Sequence, residues 1–283
     1  MSTIPQPAGL RFLEASAEPA SAEILIVGFP FDGTASFKPG ARFGPNALRQ
    51  ASWVLENYSP YLDRTLEDLK YADVGDLDLP VTGSERVSQM IYQYCTKQVQ
   101  AGKKLAAIGG EHSVSYGLIN ACFDKYPDLH VVHFDAHADL REDYEGERWS
   151  HACIIQRVLD FLPTDQLTQY GIRSGTRDEF TWMRQKGTLM EEREEFISRV
   201  RKISGQVFIT FDLDYYDPAF FPGTGTPEPA GGSPHEIFSI FSEIKNDINL
   251  VGCDVLELAP QYDPAGISAV LAAKTLREML LLF

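Results

Sequence analysis

Three short segments of the chain gather the residue types that bind cations and activate water: Asp135, His137 and Asp139 in HFDAHADL, Asp212 and Asp214 in FDLD, and His112 in GGEHS. In extended backbone, side chains two residues apart point to one side, so Asp135, His137 and Asp139 are expected to converge, and Asp212 with Asp214 repeat the device. The glycine pair before His112 lets the chain turn sharply there. A single strand-end aspartate usually caps a helix or closes a turn. Four carboxylates and two imidazoles spread over three such segments need another explanation, because an ionised group taken out of water costs several kcal/mol unless a counter-charge meets it.

Metal ions meet that need. The donor set is hard and oxygen-rich, which suits Mn²⁺ better than thiolate-preferring Zn²⁺. Six donors exceed what one ion usually takes, whereas two divalent ions sharing bridging carboxylates use all six. The four negative charges then balance two dications, so the expected cofactor is a pair of Mn²⁺ ions.

Donors at such spacings need rigid elements behind them. Apolar runs ending in Gly, Asp or a turn signal occur at 23–30, 104–110, 129–135, 167–172, 206–212 and 248–258. Unbroken runs of this length read as strands buried on both faces. The intervening stretches 85–103, 151–162, 177–186, 191–203 and 234–247 carry mixed apolar and charged patterns long enough for crossover helices. Alternating strands and helices predict an α/β fold with a mainly parallel sheet between helical layers, and in such sheets ligands bind at the carboxyl ends of the strands. The segment PGTGTPEPAGG at 222–232 is the clearest loop, since no helix or central strand accommodates so many Pro and Gly residues.

A chain of 283 residues, 44% hydrophobic and 11% aromatic, can bury a substantial core, and one domain spanning 1–283 is expected. Asp and Glu outnumber Lys and Arg by 40 to 25, a formal charge of −15. That balance argues against nucleic acid and anionic membranes as partners and favours a small cationic substrate. Cys95, Cys122, Cys153 and Cys253 lie far apart with no CxxC spacing, so neither a zinc ribbon nor a disulfide framework is expected. The N-terminal MSTIPQPAGLRF shows no export pattern and no long apolar run occurs, which with reduced thiols predicts a cytoplasmic protein.

The motifs GGEHSVSYG at 109–117, HFDAHADL at 133–140, SHA at 150–152, FDLDYYDPAFFPGTGTPEP at 211–229 and DVLELAPQYDPAGISA at 254–269, with FKPGARFGPNALR at 37–49, resemble the ureohydrolase family of arginases, agmatinases and formimidoylglutamases. The likeness spans nearly the whole chain. It implies a three-layer α/β/α arginase-like fold with an eight-stranded parallel sheet. It also implies that His112, Asp135, Asp139 and Asp212 surround one Mn²⁺ and Asp135, His137, Asp212 and Asp214 the other, with Asp135 and Asp212 bridging. Two such cations make hydroxide available near neutral pH for attack on a guanidinium carbon. His151, in WSHAC, matches the family's proton-shuttling histidine, and Glu257, in VLEL, the carboxylate that holds the guanidinium; Asp139 counts with these two as catalytic. Similar enzymes are commonly trimers or hexamers, so a homo-oligomer is implied.

Within that family the chain departs from the arginases. Its loop REDYEGERWS is acidic where arginases are rich in Asn and Ser, and in GIRSGTRDE the position of an arginase acid is taken by Thr176. Arginine is therefore disfavoured, and Glu142, Asp143, Glu145 and Glu147 either receive a distal ammonium or form a solvated face. Agmatine, cleaved to putrescine and urea, is the expected substrate; N-aminopropylagmatine, guanidinobutyrate or a formimino compound are the alternatives. A non-catalytic relative or a single-Zn²⁺ deacetylase-like amidohydrolase is a remoter reading. Glu111 would point away from the site if the strand before it continued, and reads as structural. Cys153 stands where many relatives carry Thr, and reads as a small buried spacer.

Overall fold

The computed structural model describes residues 9–15 and 17–283; most of the first eight-to-twelve-residue stretch on which the export reading rests lies outside the described residues. Eight strands form one sheet: β1 (Ile24–Phe29), β4 (Tyr71–Asp76), β5 (Lys104–Gly109), β6 (His130–Phe134), β7 (Leu167–Tyr170), β8 (Leu189–Met190), β9 (Gln206–Asp212) and β10 (Asn249–Leu256). A separate hairpin pairs β2 (Tyr58–Ser59) with β3 (Arg64–Thr65). The large sheet runs in the order β4-β1-β5-β10-β9-β6-β7-β8, and every pairing in it is parallel.

Both faces of the sheet are buried, as the continuous apolar runs require. On one face Ile24, Ile26, Ala106, Ile108, Val132, Phe134, Val207 and Ile209 pack with helices α1 (Gly44–Ser52), α6 (Arg193–Val200), α7 (Pro234–Ile244) and α8 (Ile267–Leu280). On the other, Leu25, Val27, Leu105, Ala107, Val131 and Phe208 pack with α2 (Ser84–Gln100), α3 (Ser115–Lys125), α4 (Ile154–Val158) and α5 (Arg177–Lys186). Alternate residues of each strand thus feed opposite layers, which makes the three-layer α/β/α sandwich. Burying each Ile, Val or Phe of this kind contributes about 1.5–3 kcal/mol.

All six apolar runs read as strands are strands. The sequence reading misses β4, whose YADVGD is broken by acids and glycine, and β8, only two residues long. It also misses α1, α3 and α8. Helix α8 is buried nearly all round from Leu271 to Leu280, its Thr275, Arg277 and Glu278 included, so it lacks the exposed polar stripe that marks a surface helix. The α5 limits are sharp for a local reason: Thr176 and Glu179 form a reciprocal capping box, and Gly187 closes the helix at φ 68°.

Candidate active site

Four adjacent strands, in the order β5-β10-β9-β6, deliver the expected site residues from their carboxyl ends: His112, Glu257, Asp212 with Asp214, and Asp135 with His137 and Asp139. His112 follows a close crossing of the backbone. Gly110 N–H donates to Phe29 O (2.8 Å) and Glu111 N–H to Phe31 O (2.7 Å), and a Cβ on Gly110 would lie 1.8 Å from the Phe31 carbonyl oxygen. The glycine is therefore needed for close approach of two backbones rather than for a sharp turn, since neither Gly109 nor Gly110 has positive φ.

The expected convergence of Asp135, His137 and Asp139 occurs, but strand alternation does not produce it. β6 ends at Phe134. Asp139 takes φ 53°, in the left-handed region, and Glu257 takes φ 65°. Non-glycine residues held there are uncommon, of order 1 kcal/mol or more above the right-handed region, and such strain concentrates at functional sites. Likewise Asp212 closes β9 while Asp214 sits in the 3-10 turn Leu213–Tyr215 and donates its N–H to Asp212 Oδ1 (2.9 Å).

The donors form two groups that share Asp135: His112, His133, Asp135 and Asp139 in one, and Asp135, His137 and Asp214 in the other, with ligand atoms within 4.8 Å of one another. His112 Nδ1 lies 2.9 Å from Asp135 Oδ2, 3.1 Å from Asp139 Oδ2 and 3.5 Å from Asp212 Oδ2, yet makes no hydrogen bond. Its other ring nitrogen is within 2.9 Å of Thr210 Oγ1. On the second side His137 Nδ1 is 2.9 Å from Asp214 Oδ2 and 3.6 Å from Asp135 Oδ1. A buried imidazole nitrogen surrounded by oxygens but unbonded is the geometry of a metal ligand.

His133 is a site residue that the sequence reading passed over. Its Nε2 meets Asp135 Oδ2 at 2.8 Å and its Nδ1 meets Gln169 Nε2 at 3.3 Å, while Gln169 Oε1 accepts from Thr188. With both ring nitrogens occupied, His133 orients Asp135 rather than joining the ligands. The alternation His133-Asp135 in HFD was the available signal. Arg173 is a second such residue: its guanidinium donates to the carbonyls of Asp214 (2.8 Å), Tyr215 (3.2 Å) and Glu228 (2.6 Å), tying the ligand turn to the Pro-rich loop.

The charge balance is heavily acidic. Among the described residues, the ion pairs of Asp135, Asp139, Asp212 and Asp214 are all with histidine, and none links Glu257 to Lys or Arg. Burial, followed by the nearby Asp214, Asp135 and Glu257, pushes Asp212 well above the usual carboxylate range. Burial, Glu111 and Asp214 do the same to Glu257, and burial and Asp135 raise Asp139. Asp135 is held well below its ordinary value despite burial, because the imidazoles of His112 and His133 face it. Against its own burial, His137 is pushed up to about 12 by Asp214 and Asp135. Clustered buried carboxylates with no Lys or Arg among their ion-pair partners fit divalent metal, and the acid-and-imidazole donor set matches hard or borderline ions.

A polar cavity of about 210 Å³ opens over this centre, lined among others by His137, Asp139, Arg141, Tyr144, His151 and Thr226. His151 begins the 3-10 turn His151–Cys153; its Nδ1 is 3.2 Å from Thr34 Oγ1 and its Nε2 3.4 Å from Ser36 Oγ. Burial, then the charges of His137 and His112, push it down to about 4, so its ring rests neutral. Glu257 lies beside the ligands, its Oε1 accepting the His112 N–H at 2.8 Å. Cys153 is buried, with its Sγ accepting from Ser150 Oγ at 3.3 Å, consistent with a spacer.

The expected ammonium receptor is corrected by the loop's own contacts. Glu142 pairs with Arg157 (2.7 Å), Asp143 accepts from Gly146 N–H (2.9 Å) and Glu147 from Trp149 N–H (2.9 Å), and none of the four acids lines the cavity. The loop gives the cavity Arg141 and Tyr144 instead, the guanidinium 5.0 Å from the ring centre. Thr176, at the place of the arginase acid, caps α5, and Glu179 of that cap also accepts the Leu140 N–H (3.2 Å).

The Arginase family model matches residues 22–282. The agmatinase of Bacillus anthracis is 43% identical over 96% of both chains. The crystal structure of the agmatine ureohydrolase of Thermoplasma volcanium superposes with a TM-score of 0.87 at 30% identity, covering 97% of this chain and 94% of that one. The human mitochondrial guanidino acid hydrolase is 32% identical, over 95% of this chain and 80% of its own.

Proposed function

Because the chain belongs to the arginase family of binuclear metal hydrolases, we propose that residues 1–283 act as one ureohydrolase domain that cleaves agmatine to putrescine and urea with two Mn²⁺ ions. The observation that carries this reading is the pair of His/Asp groups sharing Asp135 at the ends of adjacent strands. His112, Asp135, Asp139 and Asp212 would hold one ion and Asp135, His137, Asp212 and Asp214 the other. Two divalent cations held there supply Lewis acidity, bringing the pKa of water toward neutrality and offsetting negative charge that develops in the reaction.

The chain's own groups do the rest. Glu257 receives the guanidinium: one of its oxygens serves the His112 N–H, and the other faces Gly225, where an added Cβ would still stand 3.9 Å away. A charge-assisted contact of this kind is shorter and stronger than a neutral one. His151, neutral at working pH, takes a proton from the attacking water at one ring nitrogen and returns it to the departing amine, which leaves as the primary amine of putrescine. The cavity walls of Ser36, Ser174 and Thr226 offer hydroxyls, and the Tyr144 ring offers a face to the distal ammonium.

One observation favours a second reading. Arg141 on the cavity wall adds a cation to the pocket, which suits a guanidino acid such as guanidinobutyrate. Turnover of Mn²⁺-loaded protein on agmatine, N-aminopropylagmatine, guanidinobutyrate, arginine and formimidoylglutamate decides: putrescine and urea from agmatine with the highest kcat/KM is expected, and preference for guanidinobutyrate would overturn it. Metal analysis should give two Mn²⁺ per chain; one Zn²⁺ would favour a deacetylase-like hydrolase. No helix of the described residues is long and apolar enough to cross a membrane. We place the enzyme in the cytoplasm as a homo-oligomer, trimer or hexamer, which light scattering checks.

A further inference from the structure

Glu111 is a buried carboxylate that neither the metal groups nor the guanidinium contact employs. Only 1% exposed, it has no ion pair among the described residues, yet it accepts three hydrogen bonds. Oε1 takes the hydroxyls of Thr34 (2.6 Å) and Ser113 (2.5 Å), and Oε2 takes the Thr34 N–H (2.8 Å). Met by the Thr34 N–H on Oε2 and by two hydroxyls on Oε1, Glu111 is satisfied with all three donating to it, the arrangement of an acceptor-only carboxylate.

That polarity propagates. Thr34 has a single hydroxyl proton and gives it to Glu111, so toward His151 its oxygen can only accept. It receives the His151 backbone N–H at 3.1 Å and stands 3.2 Å from ring Nδ1. A contact between an accepting oxygen and Nδ1 requires the proton on Nδ1. Nε2 of neutral His151 then carries the lone pair, with Ser36 Oγ 3.4 Å away as a donor beside the cavity.

We propose that Thr34, oriented by Glu111, is a positioning residue that fixes His151 as the Nδ1–H tautomer and so keeps Nε2 free as the atom that takes and returns the proton. The inference rests on the proton-carrying role given to His151 above. The proton balance is closed: Nε2 gains one proton from the attacking water and passes it to the leaving nitrogen as the C–N bond breaks. The other proton stays on Nδ1 throughout, donated to the Thr34 oxygen. As the imidazolium forms, the same Nδ1–H strengthens toward a hydroxyl polarised by an anion.

The test combines spectroscopy with a mutant cycle. In ¹⁵N-histidine protein loaded with diamagnetic Zn²⁺, with His151 assigned from its substitution, the neutral ring should show a protonated Nδ1 and a bare Nε2. Thr34→Ser should keep that signature, and Thr34→Val should move it toward the other tautomer. In Mn²⁺ enzyme, Thr34→Val should lower kcat about tenfold, the worth of one lost hydrogen bond to a charged group, with KM and metal content little changed. Thr34→Ser should recover most of that loss. On a His151→Ala background, Thr34→Val should lower kcat no further. An Nε2–H tautomer in the unsubstituted protein, or Thr34→Val with unaltered tautomer and kcat, overturns the proposal. If His151→Ala left kcat intact, the proton-carrying role would fall, while the tautomer signature would still judge the relay itself.

Discussion

Glu257→Gln separates binding from stability in one substitution. The wild-type Oε1 is committed to the His112 N–H, so the glutamine oxygen will keep that bond and turn its NH₂ toward the incoming guanidinium. A donor then faces a donor. Hydrogen bonds to charged groups are worth about 1.5–3 kcal/mol net, so kcat/KM for agmatine should fall about 10- to 150-fold, toward the larger figure because the replacement is repulsive. Folding responds in the opposite direction. The carboxyl is raised by burial, then by Glu111 and Asp214, so in the metal-free protein the folded state is disfavoured above the ordinary carboxylate range and relieved as pH falls. Removing that charge should stabilise chelated protein by about 1 kcal/mol near neutral pH, a rise of roughly 2 °C in Tm for a chain of this size. The gain should shrink as pH approaches about 4.3, where free Glu itself protonates. The left-handed backbone at 257 is indifferent to the exchange, because Gln shares the same Cβ geometry. Steady-state kinetics and thermal melts in EDTA measure the two effects. Unchanged kcat/KM would refute the guanidinium contact, and a lower Tm would refute the description of Glu257 as an uncompensated buried charge.

Asp135→Asn should reduce metal content below two ions per chain and lower kcat by about a hundredfold or more, since the carboxylate serves both donor groups; elemental analysis alongside kinetics checks it. Chelation should abolish turnover and lower Tm by several degrees, because ligand at about 100 Kd contributes roughly 2.7 kcal/mol to the folded state, with Mn²⁺ restoring both. Gly110→Ala would drive a methyl to 1.8 Å from the Phe31 carbonyl oxygen, so a loss of about 3 kcal/mol or insoluble protein is expected, read from denaturant melts.

The layers of the fold were legible because the strands are buried on both faces and so write themselves as unbroken apolar runs. β6 and β9 carry their donors at the very residues where those runs stop. Elements whose stability comes from packing rather than local pattern were not legible: α8 buries even Thr275, Arg277 and Glu278, and β8 is two residues held by its neighbour. Donor identities could be named from residue type and spacing, whereas the reason they meet could not. Asp139 faces the others from a left-handed backbone and Asp214 from a 3-10 turn, conformations fixed by long-range bonds such as Arg173 to the Asp214 carbonyl. The acidic loop misled for a related cause. An acid's sign can be read from the chain, but its partner, Arg157 for Glu142, is set by tertiary contact.

The strain at Glu257 follows from the order of the strands. Neighbouring strands lie about 4.8 Å apart, so β5 stands roughly 14 Å from β6, three spacings away, while paired metals sit only about 3.5–4 Å apart. Asp212 and Asp135, at the ends of adjacent β9 and β6, are the pair proposed to be shared by both ions. His112, on β5, has to reach across the end of β10 to join them. A strand running straight on from Leu256 would occupy that space. Instead the chain turns at φ 65° with Glu257 N–H on Gly110 O at 2.8 Å, which clears the way for the imidazole and brings the carboxylate under the His112 N–H. One unfavourable dihedral thereby places a ligand and the guanidinium acceptor together, and the rigid sheet beneath holds it because four buried strands leave the backbone no alternative path.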